Sequence, residues 1–511
     1  MKMICLVLFL ILLICVPCIS SNRYVSTTGS NKAAGSVDAP WRTITHGCVR
    51  IVAGDTLFIR GGPYHEYDID VIHSGKSESL IVVKSYPGES AIIRCDSLHT
   101  AFTFGQRRAI EYVNIENIVV KFPRLAGFLF ANANYSINNC TIKNCRVDSL
   151  VQSDNSGGII FGTTCHFVKA VNDTIVGNRT NNQNYACIFI HSADGSITID
   201  GCDLSGSYYG INYKYPSNAT HMGIIINNFL HDNVGGGANI NSDRVLFKNN
   251  VVINNTWNGI TYWGDPGSRG GSYSRIEHNT VYNSRYTVTL AKGGGVSTYP
   301  PSVYGATSDT LVNNLFIGSH GELGSFCIWG AVISGCSHKT ISDYNNYYNT
   351  ATTNVIKEYS LFYTLAAWKI KYPTMDQHSI DTRPIFANYS KTMREIDDFE
   401  LIGRGKNAGL GGSDMGADVL LVSRKKAQIT SATRIKCFKG KTLSYQLTAS
   451  KRASKFTSTP LPLPNNLFLD TLSGKITGTP TDRGIFKIII RVWNVNGISP
   501  PESLFVEVSG L

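Results

Sequence analysis

Asn250-Val-Val-Ile-Asn-Asn-Thr-Trp-Asn-Gly-Ile-Thr-Tyr-Trp263 decides the fold. It joins an Asn-led apolar run to a Gly-led apolar run through a few polar residues, and the phrase returns along the chain. Its openings read Asn117-Ile-Val-Val, Asn139-Cys-Thr-Ile, Asn172-Asp-Thr-Ile, Gly201-Cys-Asp-Leu, Asn227-Phe-Leu-His, Asn279-Thr-Val-Tyr and Asn314-Leu-Phe-Ile. With Asn250 in its place, successive spacings are 22, 33, 29, 26, 23, 29 and 35 residues.

A unit this short cannot bury its apolar face alone, so neighbouring units must stack around one continuous core. A leucine-rich repeat needs a Leu lattice, which is missing, and a propeller blade needs a steadier period of about 40 residues. A parallel β-helix tolerates ragged spacing because insertions leave the cylinder at its turns. The repeat therefore reads as coils of a parallel β-helix. Growth in one dimension also lets 511 residues exceed the size of an ordinary single core. Hydrophobic content of 42% with 16% charged residues excludes wholesale disorder.

Residues 1–20 read as an export leader: Lys2, an apolar run from Ile4 to Val16, and Cys18-Ile-Ser20 as a small-residue cleavage site. No other segment has the length of a membrane span, so a secreted or cell-surface protein is expected. Export places the ten cysteines left after Cys5, Cys15 and Cys18 in an oxidising compartment. Cys140/Cys145 and Cys165/Cys187/Cys202 lie on neighbouring coils, where disulfides and stacked burial are both open. The formal charge of +11 suits attraction to polyanions.

Tyr24-Val-Ser-Thr-Thr-Gly, Pro40-Trp-Arg-Thr-Ile44 and Ala53-Gly-Asp-Thr56, ending at Gly61-Gly-Pro-Tyr64, resemble in order the opening of secreted right-handed β-helix proteins of the pectin-lyase-like superfamily. The resemblance implies that Pro40–Ile44 begins a short capping helix and that the first full coil starts at Ala53. Asp343–Asn349, Trp368, Asp376–Ile380, Asp381–Phe386, Asp398–Leu401 and Asp414–Ala417 are similar to the closing coils of the same family. Beyond Arg424-Lys-Lys426 the runs Thr442–Leu447, Leu467–Asp470, Ile485–Val492 and Leu504–Val508 alternate between Pro and Gly turns, as in an antiparallel sandwich. Leu467-Phe-Leu-Asp-Thr-Leu-Ser-Gly-Lys-Ile-Thr-Gly-Thr-Pro480 closely resembles the Ig-like, cadherin-like module of secreted enzymes and adhesins. The expected organisation is a leader at 1–20, an all-β right-handed parallel β-helix with N-terminal cap at 21–423, and an Ig-like β-sandwich at 428–511.

In β-helix enzymes of this superfamily the site lies on the outer face of one sheet. Aligning the Gly-Ile-type strands turns Ile188, Ile211, Ala238, Ile260 and Val288 inward. The outward stripe then reads Phe189/His191, Asn212/Lys214, Asn239/Asn241, Thr261/Trp263 and Thr289/Ala291. Amides to bond hydroxyls, an indole to stack on a sugar and titratable Lys214 and His191 give it the profile of a sugar cleft. Asp194, Asp243, Arg244, Asp265, Arg269 and Lys292 lie just beyond, and Gly-rich linkers at 264–274 and 292–308 read as walls.

Glycoside hydrolysis needs two carboxylates, which polygalacturonase-like β-helices place just before these strands. Here those positions hold Tyr208-Tyr209, Gly235-Gly236 and Trp257-Asn258, so the hydrolase pattern is absent. β-Elimination needs the uronate carboxylate neutralised by Arg or Ca²⁺ and a base for the C5 proton. Resemblance to polysaccharide lyases favours this chemistry, with Lys214 as base, His191 as a further titratable candidate, Arg244 about one coil away or a metal masking the carboxylate, and Asn212, Asn239, Asn241, Trp263, Asp265 and Lys292 holding an acidic polysaccharide. The recognisable strings of alginate and chondroitin lyases are missing, and so is a clear Asp cluster for Ca²⁺. A non-catalytic surface or adhesion protein and a uronan C5-epimerase are the competing readings. A monomer is expected, with no nucleic-acid partner.

Overall fold

A computed structural model describes residues 21–510 apart from 131–134, 152, 192, 194–195, 215–219, 264–272, 284–285, 292–309, 319–325, 331–340, 359–360, 388–392, 451, 461 and 495. Three long parallel sheets, of twelve, twelve and ten strands, run the length of one cylinder. Most coils contribute one strand to each sheet, and successive coils pair in parallel until Leu361–Tyr363 closes the second sheet antiparallel to Ile356–Glu358. A continuous core of Ile, Val, Leu and Phe fills the interior from Val25 to Trp368.

The N-terminal cap follows its sequence signals. The helix Ile44–Cys48 is capped by Thr43, whose hydroxyl accepts from the His46 amide. Glu66 accepts from the helix-end amides of Ile44 and Thr45 at 2.8 and 2.9 Å, placing a negative charge at the positive end of the helix. Asp55 of the Ala-Gly-Asp-Thr turn accepts from Ser21 N and Val52 N, tying the first strand to the first coil.

The recurring Asn has two different duties. Asn117, Asn144, Asn172, Gly201, Asn227, Asn249, His278, Asn313 and Tyr344 occupy the left-handed region, with φ between 54° and 68°, at the turn joining the first sheet to the ten-stranded one. Asn and Gly suit that conformation. The next residue points inward and bonds along the axis. In Asn228, Asn250, Asn279, Asn314 and Asn345, each Oδ1 from Asn250 onward accepts the backbone N and Nδ2 of the preceding rung at 2.9–3.1 Å. The sequence phrase had merged these positions. Asn139 belongs to yet another turn, so the uneven steps of 22 and 33 resolve into 27 from Asn117 to Asn144 and 28 from Asn144 to Asn172.

Cys140, Cys145, Cys165, Cys187 and Cys202 are buried free thiols, which settles their pairing in favour of stacked burial. Burial pushes the Cys140 and Cys187 thiols up to about 12.

The closing coils depart from expectation after Ile380. Asn346 still bridges Ile380, and Asp376 gathers Ser342, Tyr347, Ser379 and the Trp368 indole through four hydrogen bonds. Residues 393–424 then run back along the outside of the ten-stranded sheet as a strap, with Phe386 packed beside them. That sheet presents Phe229, Val251, Ile253, Leu315 and Ile317 outward, and Phe386, Met393, Phe399, Leu401, Ala417, Val419 and Val422 cover them. Leu410 N bonds Asn313, Ala417 N bonds Thr280, Asp418 N bonds Asn249 and Arg424 bonds Asp200, in reverse coil order. An apolar outer stripe cannot be left to water, and the strap supplies its cover.

The C-terminal module is a two-layer sandwich. One layer pairs Arg434–Phe438, Glu502–Ser509, Gly484–Asn494 and Lys455–Thr459; the other pairs Leu443–Gln446, Lys475–Gly478 and Leu467–Leu469. All pairings are antiparallel except that Arg434–Phe438 runs parallel to Glu502–Ser509. The module meets the strap through Arg452–Asp418 at 2.7 Å and Asn496 Nδ2 to Leu420 O at 2.9 Å.

Candidate functional site

The Gly-Ile-type strands Tyr185–His191, Tyr209–Lys214, Gly236–Ile240, Asn258–Trp263 and Tyr286–Ala291 stack consecutively in the second twelve-stranded sheet. Their register pairs Ile188 with Ile211, Ala238, Ile260 and Val288, as the alignment predicts. Ile188, Ile211, Ala238 and Ile260 lie in the core.

Each strand also turns a corner. Cys187 and Ile188 both face the core, whereas Ala186 and Phe189 on either side belong to a separate outer cluster. The glycines occupy the corner because there is no room for a side chain: a Cβ on Gly210 would lie 2.6 Å from Gly237 O, and one on Gly237 2.4 Å from Val252 Cγ1.

Outward therefore does not mean exposed. The stripe passes from apolar Leu129, Ile160 and Phe189 to polar Asn212, Asn239 and Thr261, all buried. Asn239 Nδ2 donates to Asn212 Oδ1 at 3.0 Å, and Asn212 Nδ2 reaches Gln183 O at 3.4 Å. Asn241, level with Lys214 on the next coil, is fully buried, yet among the described residues neither end of its amide has a hydrogen-bond partner, and Thr261 Oγ1 has none either. Unpaired buried polar atoms are costly and mark places where a ligand or water completes the structure.

Lys214 ends its strand half-buried. Its ammonium donates to Asn184 Oδ1 at 2.5 Å, and Asn184 Nδ2 donates to Asp154 Oδ1 at 2.9 Å. The ammonium also lies 5.8 Å from the Phe189 ring centroid. Burial lowers the Lys214 pKa, and the charge of Asp154 opposes that shift only in part. His191 is the register partner of Lys214. Its own pKa is lowered by burial and then by the Lys214 charge, which favours the neutral imidazole.

Arg244 stands apart from this pair. It sits in the left-handed region, φ 57°, at the turn into the first sheet, with its side chain exposed and its carbonyl accepting from Gly223 N. Trp263 pairs through its backbone with Ala291. The Trp263 side chain, Asp194, Asp265, Arg269, Lys292 and nearly all of both predicted wall loops lie outside the described residues.

Asp154, Gln183 and Asn184 were missed from sequence. They precede their strands, so an alignment of the strands alone passes over them; the polar runs Asp154-Asn155 and Asn181-Asn182-Gln183-Asn184 were the available signal. A Ca²⁺ cage needs several oxygen ligands, with carboxylates among them. Around Lys214 the hydrogen-bonded oxygens come from Asn184 and Asp154, a single carboxylate. Among the described residues no three His, Cys, Asp or Glu gather into a metal-binding group. The described residues do not form such a cage, and no step is derived through a metal.

Residues 23–286, a span that includes His191, Lys214 and Arg244, match the family described as "Pel9A-like, right handed beta helix region". The chain belongs to the Pel9A-like right-handed β-helix family. Residues 427–509 of this Pel9A-like chain match the family described as "Putative Ig domain". Pectate lyase PEL9 of Emericella nidulans is 37% identical over 81 residues, 16% of this chain and 20% of PEL9. The uncharacterized protein YwoF of Bacillus subtilis is 38% identical over 78 residues, 15% of this chain and 16% of YwoF. The chain thus matches a fifth or less of either relative. The crystal structure of pectate lyase Pel9A aligns over 78% of this chain and 96% of its own, with 14% identity and a TM-score of 0.49. No helix among the described residues is long and apolar enough to cross a membrane.

Proposed function

We propose that this Pel9A-like chain is an extracellular polysaccharide lyase that binds an acidic polysaccharide along the outward stripe of these strands and cleaves it by β-elimination. The observation that carries the reading is Lys214: a half-buried amine of lowered pKa, held by Asn184 and Asp154, beside His191 and the unpaired Asn241 amide. Removal of the proton next to a uronate carboxylate needs a neutral base, and burial shifts Lys214 towards that form. Asn212, Asn239 and Asn241 contact sugar hydroxyls, Trp263, Asp265 and Lys292 extend the binding surface, and Arg244 pairs with a carboxylate one coil beyond. The apolar leader supports export, and the name of the relative PEL9 makes pectate the first substrate to try.

Purified chain is incubated with pectate, alginate, chondroitin and heparin, with and without Ca²⁺, while ultraviolet absorbance follows the unsaturated product. Product from at least one polymer, abolished by Lys214→Ala with binding retained, is the expected result. No product from any polymer, with glycan binding intact, would falsify the lyase reading in favour of a binding protein. Solvent-proton exchange at C5 without product would replace it with epimerisation.

A further inference from the structure

The positive charge of this chain is concentrated in one place. Residues 427–511 hold eleven Lys and Arg against four Asp and Glu, a formal +7 out of the +11 of the whole chain. The sandwich then sorts that charge by face. In Gly484–Asn494, residues Ile488, Ile490 and Val492 enter the core, so Lys487, Ile489, Arg491 and Trp493 stand on the outer face. The same alternation puts Arg434 and Lys436 outward from one strand, Phe505 and Glu507 from the next, and Lys455, Thr457 and Thr459 from the far edge.

Register assembles these into one surface. Lys487 lies opposite Phe505, which lies opposite Arg434; Lys455 lies opposite Trp493, and Thr457 opposite Arg491. Five cations share the face with one carboxylate, Glu507, which lies 3.6 Å from Arg434. Arg434 covers the Phe505 ring at 5.2 Å, and the Trp493 indole is 38% exposed.

We infer that this sheet face is a second binding site, for an acidic polysaccharide, separate from the outward stripe of the β-helix. The cations match carboxylates and the exposed indole offers a flat apolar surface to a sugar ring. Thr457, Thr459 and Ser503 on the same face place hydroxyls between the charges, which suits a ligand that alternates hydroxyls with charge. Duplex DNA carries a charge about every 1.7 Å and rewards denser basic surfaces. The inference does not rest on catalysis: a chain without lyase activity would still bind through this face.

The test uses the full chain carrying Lys214→Ala in every arm, so that no polymer is consumed. Affinity electrophoresis is run in polygalacturonate, in neutral galactan and against duplex DNA. The Lys214→Ala chain is expected to bind polygalacturonate with an affinity that falls as salt rises, and to ignore galactan. Adding Lys436→Gln, Lys487→Gln and Arg491→Gln together is expected to weaken that binding about tenfold with the urea unfolding midpoint unchanged. Trp493→Ala is expected to weaken it at every salt concentration without altering the salt slope. A triple variant that binds within about twofold of its parent overturns the inference, as does equal binding of galactan or tighter binding of duplex DNA.

Discussion

Replacing Asn279 with Ala tests whether the internal amide ladder is a main source of stability. The Asn279 side chain is fully buried. Its Oδ1 accepts from Asn250 N at 2.9 Å and Asn250 Nδ2 at 3.1 Å, and its Nδ2 donates to Phe247 O at 2.8 Å and Asn314 Oδ1 at 3.0 Å. Truncation removes the acceptor of one buried backbone N–H and of one amide proton, and each orphaned donor costs about 1–3 kcal/mol. Asn250 Nδ2 keeps Ile225 O at 3.0 Å, which limits the second term, so the loss falls at roughly 2–5 kcal/mol. Urea unfolding followed by circular dichroism gives the global value. Hydrogen exchange gives the local one: Asn250 N–H is expected to lose protection while core amides of the sandwich, such as Ile490, keep theirs. A global loss under about 1 kcal/mol, with Asn250 still protected, would show that the ladder bonds are replaceable and refute the reasoning.

Three further outcomes follow from the same geometry. Asp154→Asn removes the charge that partly sustains the Lys214 pKa; in the lyase assay the rising limb of kcat/KM against pH is expected to move to lower pH, and movement to higher pH would count against Lys214 as base. Burial raises Asp173 to about 8 from 3.8, so the folded chain keeps a proton that the unfolded chain releases. Stability from this group is complete below about pH 3.8 and is lost as pH rises through about 8; Asp173→Asn is expected to flatten the unfolding free energy across that window. Arg424→Ala breaks a half-exposed 2.7 Å pair with Asp200 and is expected to cost no more than about 1 kcal/mol, while raising the rate of proteolytic cutting within residues 402–424; an unchanged cutting rate would mean that the strap does not depend on this contact.

The amino-acid sequence by itself determined the coil, the strand register and the identity of the inward residues. Alternation is local, and a misaligned strand would turn Ile211 or Ile260 out of the core, so apolar pattern and register constrain each other. The Ig-like sandwich was legible from the same alternation, and the capping helix from the family resemblance of the Pro40–Ile44 stretch. Only the tertiary structure decided which Asn serve as left-handed turns and which bond along the axis, since residues 249 and 250 are both Asn and differ only in where the turn places them. It also decided that residues 393–424 fold back as a strap, a choice made by the apolar outer stripe of a sheet built from distant coils. The site divides in the same way. Lys214 and His191 could be placed from register, but Asn184 and Asp154 reach Lys214 from the two preceding coils around a corner. Ragged coil lengths hide such contacts from any reading of spacing, because they depend on the path of the backbone in space.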